Sequence, residues 1–384
     1  MSVIHIANGS PAGLAELDAR SVKRISAYLV EGNNDASPAP LAQNPYYSLG
    51  SKIYGQGFLF DDHDPAASPI SQCEKILRMR PDLSNRIKPY LGGEEVNVSP
   101  SQQPSRFAIY LSDIQEEGEL ADLGPLADIV REKVLPERRK LGNNPNNIPL
   151  KRKWWAYQAH RPKLYTQISQ SQLVLCNSQV SPHLAFAVAP TNAIFAHTLN
   201  VIPRASLAMF TCIQSRNHEV WARFFSSSMK DDLRYTPSDC FRTFPFPVNF
   251  ATNPALETAG EAYHSFRAQF MVDRNEGLTK TYNRFHARGE NAPDVARLRA
   301  LHAEMDAAVL RAYSWDELAD RAAPEFIEQD ADEGKTPKTR LDWPAEFKDE
   351  VLARLLALNT ERAAAERAAG LVVAPDDEEE DEDA

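Results

Sequence analysis

Cysteine, long apolar runs and catalytic signatures are all scarce in this sequence. The four cysteines (Cys73, Cys176, Cys212 and Cys240) lie far apart in 384 residues, with no Cys-x-x-Cys and no paired histidine spacing. That argues against a disulfide framework or a structural zinc site and for free thiols in a reducing compartment. No apolar run approaches the roughly 18 residues of a membrane helix. The start, Met1-Ser-Val-Ile-His-Ile6, has neither a basic nor an apolar signal region, so the expected location is cytoplasmic. Walker, Gly-x-Gly-x-x-Gly and Gly-x-Ser-x-Gly loops are missing, which removes the common nucleotide-binding and serine-hydrolase readings. His218-Glu219 begins like the zinc-protease helix, but no second histidine follows, and one histidine cannot hold zinc. Pro81-Asp82 has no following Glu-x-Lys of the nuclease kind, and no internal repeat is present.

What is present is a strong division of charge. The net charge of −11 hides three segments. Residues 1–130 carry 10 Lys and Arg against 17 Asp and Glu; residues 131–250 carry 16 against 6; residues 251–384 carry 16 against 30. Eight of the last acids run from Asp376 to Asp383, a low-complexity stretch expected to be disordered. A basic middle between acidic flanks presents a local anion-binding surface whatever the total says.

Periodicity then gives the elements. Val3-Ile-His-Ile-Ala7 reads as a short buried strand, Ser68–Met79 as a helix ended by Pro81, and Arg106–Leu111 as a strand. Leu123–Leu141 is a basic amphipathic helix, interrupted near Pro136. The apolar runs Leu173–Cys176, Leu184–Val188 and Ile194–Val201 read as strands of a small sheet. Ser206–Phe225 reads as one amphipathic helix. Beyond residue 250 the pattern is helical, as in Pro254–Asn275, Val295–Tyr313 and Pro344–Ala369.

Two fragments imitate a methyltransferase site. Asn44-Pro45-Tyr46-Tyr47 is one residue from Asn-Pro-Pro-Tyr, and Tyr54-Gly55-Gln56-Gly57-Phe58 resembles Phe-x-Gly-x-Gly. The chemistry needs them on the ends of different strands, which takes a crossover of a dozen residues or more. Tyr47 and Tyr54 are far too close for that, and the fragments read as turns. The basic stretch has more content. Residues 131–166 hold ten Lys and Arg against two acids, with Trp154, Trp155, Tyr157 and Tyr165 interleaved. Cations neutralise phosphates, and aromatic rings pack on sugars or bases; for the tryptophans alone the hydrophobic core is the better reading. A second set, Arg216, Arg223, Lys230 and Arg234, follows on and after the 206–225 helix, with Ser226–Tyr235 as a loop able to reach phosphates and bases.

At these residues the sequence resembles a known family. Lys153-Trp154-Trp155 with Arg161-Pro162, then Ser215–Trp221, and the string from Ser228 through Tyr235-Thr-Pro-Ser to Phe244-Pro-Phe-Pro247 are similar to the target-recognition domain of type IIG, MmeI-like, restriction–modification enzymes. Pro89–Asn97 resembles the segment joining methyltransferase to recognition domain. Gly277–Phe285, Leu298–Asp306 and Leu358–Arg362 resemble the helical C-terminal region. The resemblance implies sequence-specific recognition of double-stranded DNA, in the service of adenine methylation. It places S-adenosylmethionine and catalysis in a methyltransferase region outside this chain or in a polypeptide encoded upstream, with Val3–Ala7 near the last strand of that sheet.

The expected fold is α/β. It comprises the end of a methyltransferase domain with its connector (1–105), a mixed α/β recognition domain (106–250), a helical region (251–370) and an acidic tail (371–384). Candidate DNA-binding residues are Lys151, Arg152, Lys153, Arg161, Lys163, Arg216, Arg223, Lys230, Arg234 and Tyr235. No catalytic residue, metal ligand or cofactor-binding residue is assigned within the chain. Two alternatives stay open: the chain is itself the adenine methyltransferase, or it is a protein-interaction module without DNA.

Overall fold

The computed structural model describes residues 15–17, 20–26, 28, 37–229, 232–329 and 338–373. Expectations for Val3–Ala7, Lys230 and the acidic run from Asp376 lie outside these residues. Within them the apolar side chains gather into two cores that meet at the paired strands Ile87–Leu91 and Ile194–Phe195.

The smaller core backs a four-stranded sheet in the order Ile194–Phe195, Ile87–Leu91, Arg106–Ile109, Leu59–Phe60. The first pairing is parallel and the other two are antiparallel. Phe58, Phe60, Ile109, Leu126 and Val130 are fully enclosed there, and Trp154, Trp155 and Tyr157 join them. The tryptophans are therefore core, as their apolar bulk suggests. Two of these aromatics find a partner for their polar edge: Trp155 Nε1–H donates to Ile114 O (3.1 Å) and Tyr157 O–H to Ile109 O (2.7 Å).

The larger core begins with the antiparallel sheet Ser48–Leu49, Leu199–Ile202, Val174–Ser178, Ala187–Ala189. All five residues of Val174–Ser178 are buried, so this strand is covered on both faces. The helix Leu207–Gln214 shares this core and is capped by Ser206, whose Oγ accepts the Met209 N–H. The same core continues into the helices Pro254–Arg274, Leu278–His286, Pro293–Ala312 and Ala345–Ala368. Ile194–Phe195 joins the two cores. Side chains alternate across a strand, and here Ile194 and Ala196 enter the smaller core while Phe195 enters the larger.

Shared structure spans both of the expected boundaries. Residues 105 and 106 fall between adjacent strands of one sheet. Residue 250 marks a change of composition, but Leu256, Met305 and Leu355 share a core with Phe186 and Trp221. A further tie spans the chain. Asn359 accepts the Ala39 N–H at its Oδ1 and donates from Nδ2 to Ala39 O and Thr243 O, and the Glu366 carboxylate accepts the Ala42 and Gln43 N–H groups.

The expected helix over 206–225 is two helices, Leu207–Gln214 and Arg216–Phe225, broken at Ser215. Ser215 is extended because the next amide, Arg216 N–H, donates to the Asp306 carboxylate (2.8 Å), and a local ladder loses to a buried charge. The 123–141 helix is likewise two, Pro125–Lys133 and Leu135–Lys140. The hairpin of Glu325–Glu328 with Thr339–Asp342 breaks the helical pattern that the sequence suggests beyond residue 250.

Helix Pro254–Arg274 crosses Leu207–Gln214 at backbone distance. A Cβ on Gly260 would stand 2.3 Å from Leu207 O and 2.4 Å from Thr211 Oγ1. Gly260→Ala is therefore expected to destabilise the fold by about 1–3 kcal/mol, the usual cost of overpacking. Urea unfolding at constant slope checks this; an unchanged midpoint would show that the helices separate freely.

Candidate nucleic-acid interface

Lys151 and Arg152 end the short helix Asn147–Arg152, and Lys153 follows it. Buried Leu150, Trp154 and Trp155 fix this segment, leaving the cations outside. Lys151 Nζ donates to Asn143 Oδ1 and Lys153 Nζ to Gln115 Oε1, each at 2.7 Å. Both partners are neutral, so neither charge is cancelled by them. Arg152 is exposed and makes no ion pair among the described residues. Arg138, by contrast, leaves the surface set. Its guanidinium is buried, donates to Ile53 O and Ala156 O, and lies 5.0 Å from the centre of the Tyr54 ring. Burial lowers its pKa to about 10.

Arg161 and Lys163 sit at the start of the helix Pro162–Ile168. Lys163 Nζ is 5.1 Å above the Tyr46 ring. Arg161 adopts the left-handed conformation (φ 61°), rare for a residue with a Cβ. Further along, Ser227–Met229, Asp232–Arg234 and Val180–Ser181 form a three-stranded antiparallel sheet. Arg234 lies on its central strand, opposite Ser227 and Val180, exposed and without an ion pair among the described residues.

Strand alternation separates Arg234 from its neighbour. Tyr235 is buried, its hydroxyl 2.9 Å from His218 Nε2 and its N–H donating to Gln179 O (2.8 Å). Arg216 is also enclosed, 1% exposed. Its Nη1 donates to Asp306 Oδ2 (2.6 Å) and its Nη2 to Leu341 O (3.1 Å). Residue type alone puts Tyr235 and Arg216 at the interface; the fold places them beneath it, as supports. Arg223 is intermediate: it pairs with Glu219 (2.8 Å) and lines a groove with Phe224, Asp342, Lys348 and Leu352. The groove's acids, Glu219, Asp342 and Asp349, outnumber its cations, Arg223 and Lys348, which makes Arg223 a poor phosphate ligand.

The two methyltransferase look-alikes are structural. Asn44 Nδ2 donates to Phe241 O, Arg242 O and Phe244 O (3.0, 2.8 and 2.9 Å), so its amide NH2 is used in holding the Phe241–Phe244 turn. Tyr54 and Gly55 form a positive-φ turn. His218 is buried, and burial lowers its pKa to about 3. Among the described residues no group of three or more His, Cys, Asp or Glu is placed to hold a metal ion, and no helix is long and apolar enough to cross a membrane.

Sequence reasoning missed Lys52, Gln179 and His197. Ser51 N–H donates to Phe195 O (2.7 Å), Lys52 N–H to Ala159 O (2.9 Å) and Ala159 N–H back to Lys52 O (3.2 Å). These bonds set Lys52 between the 159–161 and 195–197 segments, beside Arg161 and His197. Gln179 Nε2 donates to His197 O (2.9 Å), linking this group to the sheet that carries Arg234. No local pattern signals a site assembled from segments more than 100 residues apart.

Two adjoining cores, with exposed cations on a helix end and on the central strand of a small sheet, define a mixed α/β domain built into a helical frame. A family model described as the MmeI target recognition domain matches residues 36–248, and the chain belongs to that family. The match passes residues 105 and 106 without a break, in line with the single sheet there. The chain is similar to DNA methyltransferase A of Bacillus subtilis (strain 168), at 22% identity over 234 residues, which are 59% of this chain and 24% of the relative. It is also similar to the solved structure of the type IIL restriction-modification enzyme MmeI in complex with DNA, with a TM-score of 0.57 and 19% identity. That likeness covers 93% of this chain and 40% of the other, and at such identity it shows the fold. The chain thus spans about a quarter of its curated relative.

Proposed function

We propose that this chain reads a sequence in double-stranded DNA as the specificity part of an adenine-specific methyltransferase of the restriction–modification kind. S-adenosylmethionine binding and methyl transfer belong, on this reading, to a methyltransferase region outside these 384 residues, whether in the same polypeptide or in a partner. The observation that carries the proposal is Arg234, exposed and without an ion pair among the described residues, on a strand of a target-recognition-family domain. Arginine is the residue best suited to a guanine edge, through two parallel hydrogen bonds. Lys151, Arg152 and Lys153 supply charge that any duplex satisfies. The engaged amide of Asn44 supports placing adenine chemistry elsewhere.

The two groups of cations are expected to behave differently. Arg234→Ala should cost roughly 1–3 kcal/mol on the preferred duplex and little on a scrambled one. Neutralising Lys151, Arg152 or Lys153 should weaken both duplexes alike, each true phosphate contact lowering the salt slope by about 1. The preferred duplex is first selected from a randomised pool, and both are then titrated across a salt series. A chain with no sequence preference, or an Arg234→Ala variant that weakens both duplexes equally, overturns the assignment.

A further inference from the structure

We infer that Lys52, Arg161 and His197 form a clamp for one phosphate of the DNA backbone, and that His197 takes up a proton as the phosphate enters. The inference rests on the DNA-reading proposal and adds a site to it. Its basis is a convergence that backbone bonds enforce. The Lys52–Ala159 pair and the Ser51–Phe195 bond bring the Lys52 backbone against the 159–161 and 195–197 segments, and the Lys52 and Arg161 charges reach the His197 ring. Lys52 makes no ion pair among the described residues, and His197 is exposed.

Two features mark this group: a backbone state that the fold imposes, and a charge balance that stays unfavourable until an anion arrives. Arg161 is held at φ 61° immediately before a proline, a backbone state that persists only where its surroundings impose it. Partial desolvation, and then the charges of Lys52 and Arg161, push the His197 pKa below its ordinary value. These are the charged groups that act on the ring; Gln179, which binds the His197 carbonyl, is neutral. A phosphate between the three reverses the sign of the local field and favours the imidazolium, so binding and protonation reinforce each other. Position adds the functional consequence. Gln179 bonds to His197 with its side chain and to Tyr235 N–H with its carbonyl. An anchored phosphate would therefore fix the duplex at a set distance from Arg234, as backbone contacts set register for base contacts.

The test uses the full chain with its preferred and scrambled duplexes, in fluorescence anisotropy titrations across salt and from pH 8 to pH 6. The wild type is expected to bind more tightly as pH falls, by up to about tenfold per pH unit where free His197 is neutral and bound His197 charged. His197→Asn should remove that part of the pH dependence, and Lys52→Ala should lower the salt slope by about 1 on both duplexes. If both variants bind with the wild-type salt slope and pH profile, the clamp is wrong and the DNA-reading proposal stands. A wild-type chain that binds no duplex overturns both.

Discussion

Asp306→Ala is expected to lower the unfolding free energy by about 3–5 kcal/mol, the usual cost of stranding a buried charge. Arg216 and Asp306 are each about 1% exposed and in contact at 2.6 Å, while the second carboxylate oxygen accepts the Arg216 N–H. Burial raises the Asp306 pKa, but the His302 and Arg216 charges outweigh it and hold the carboxyl below its usual value. Removing that carboxylate leaves a guanidinium in the core with His302 and the Leu341 carbonyl beside it. The helix Arg216–Phe225 also loses the acceptor that starts it. Urea unfolding of the variant reads the loss directly, and a shift below about 1 kcal/mol would show that water reaches the site. Arg216→Met with Asp306→Leu should recover much of the stability, because desolvation of the pair nearly cancels its attraction. That double variant should also keep the wild-type DNA salt slope, since Arg216 never meets solvent.

Acid should begin to destabilise the protein above the range where carboxylates titrate, because buried histidines must take up protons. Burial lowers the pKa of His183 to about 4, of His218 to about 3 and of His264 to about 4. His286 is held well below its ordinary value by burial and the nearby Arg340 charge. It must be neutral for Nδ1 to accept the Leu341 N–H. In the unfolded chain all four titrate near 6.5. A lowered histidine pKa means that the folded state favours the neutral ring. Its stabilisation is whole above pH 6.5 and is lost as pH falls from there toward the folded value. Each group contributes about 1.4 kcal/mol per pH unit, so four together remove up to about 5 kcal/mol per unit. Against a typical stability of about 5–15 kcal/mol, the acid midpoint is expected between about pH 6 and pH 4. Far-ultraviolet circular dichroism from pH 7 to pH 3.5 checks it, and a signal constant to pH 4 would refute the argument.

The C-terminal helices are legible because their signals are local. Asn253 caps Pro254–Arg274 through its side chain, with proline at the first helical position, and apolar spacing does the rest. Trp154 and Trp155 are legible as core for the same kind of reason. Arg216 and Tyr235 are not, because a cation or a tyrosine in a basic segment has the same local signature outside and inside. What decides is the position of Asp306 and His218, and spacing does not disclose it. The break at Ser215 belongs to the same class, since the competing acceptor lies 90 residues from Arg216. Lys52 and His197 are invisible individually; only the pairing of Ser51 with Phe195 brings them together. Arg152 and Arg234, which the sequence offers as candidates, are exposed in the fold, whereas the surface between Gln179 and Lys52 has no signature in the sequence.

The bonds from Asn359 and Glu366 back to Ala39, Ala42 and Gln43 have a consequence for synthesis. Their partners are separated by 320 residues or more. A ribosome adding about 5–20 residues each second needs roughly 15–60 s to cover that interval. Throughout it, the 39–43 backbone has emerged and the side chains that will satisfy it do not yet exist. The larger core, which runs from Leu91 to Leu356, is divided in time in the same way, so a nascent chain keeps it incomplete until the helix Ala345–Ala368 has been made. Folding of this region is therefore bound to the synthesis of that helix, and chaperone dependence during the interval should exceed that of a domain whose contacts are local.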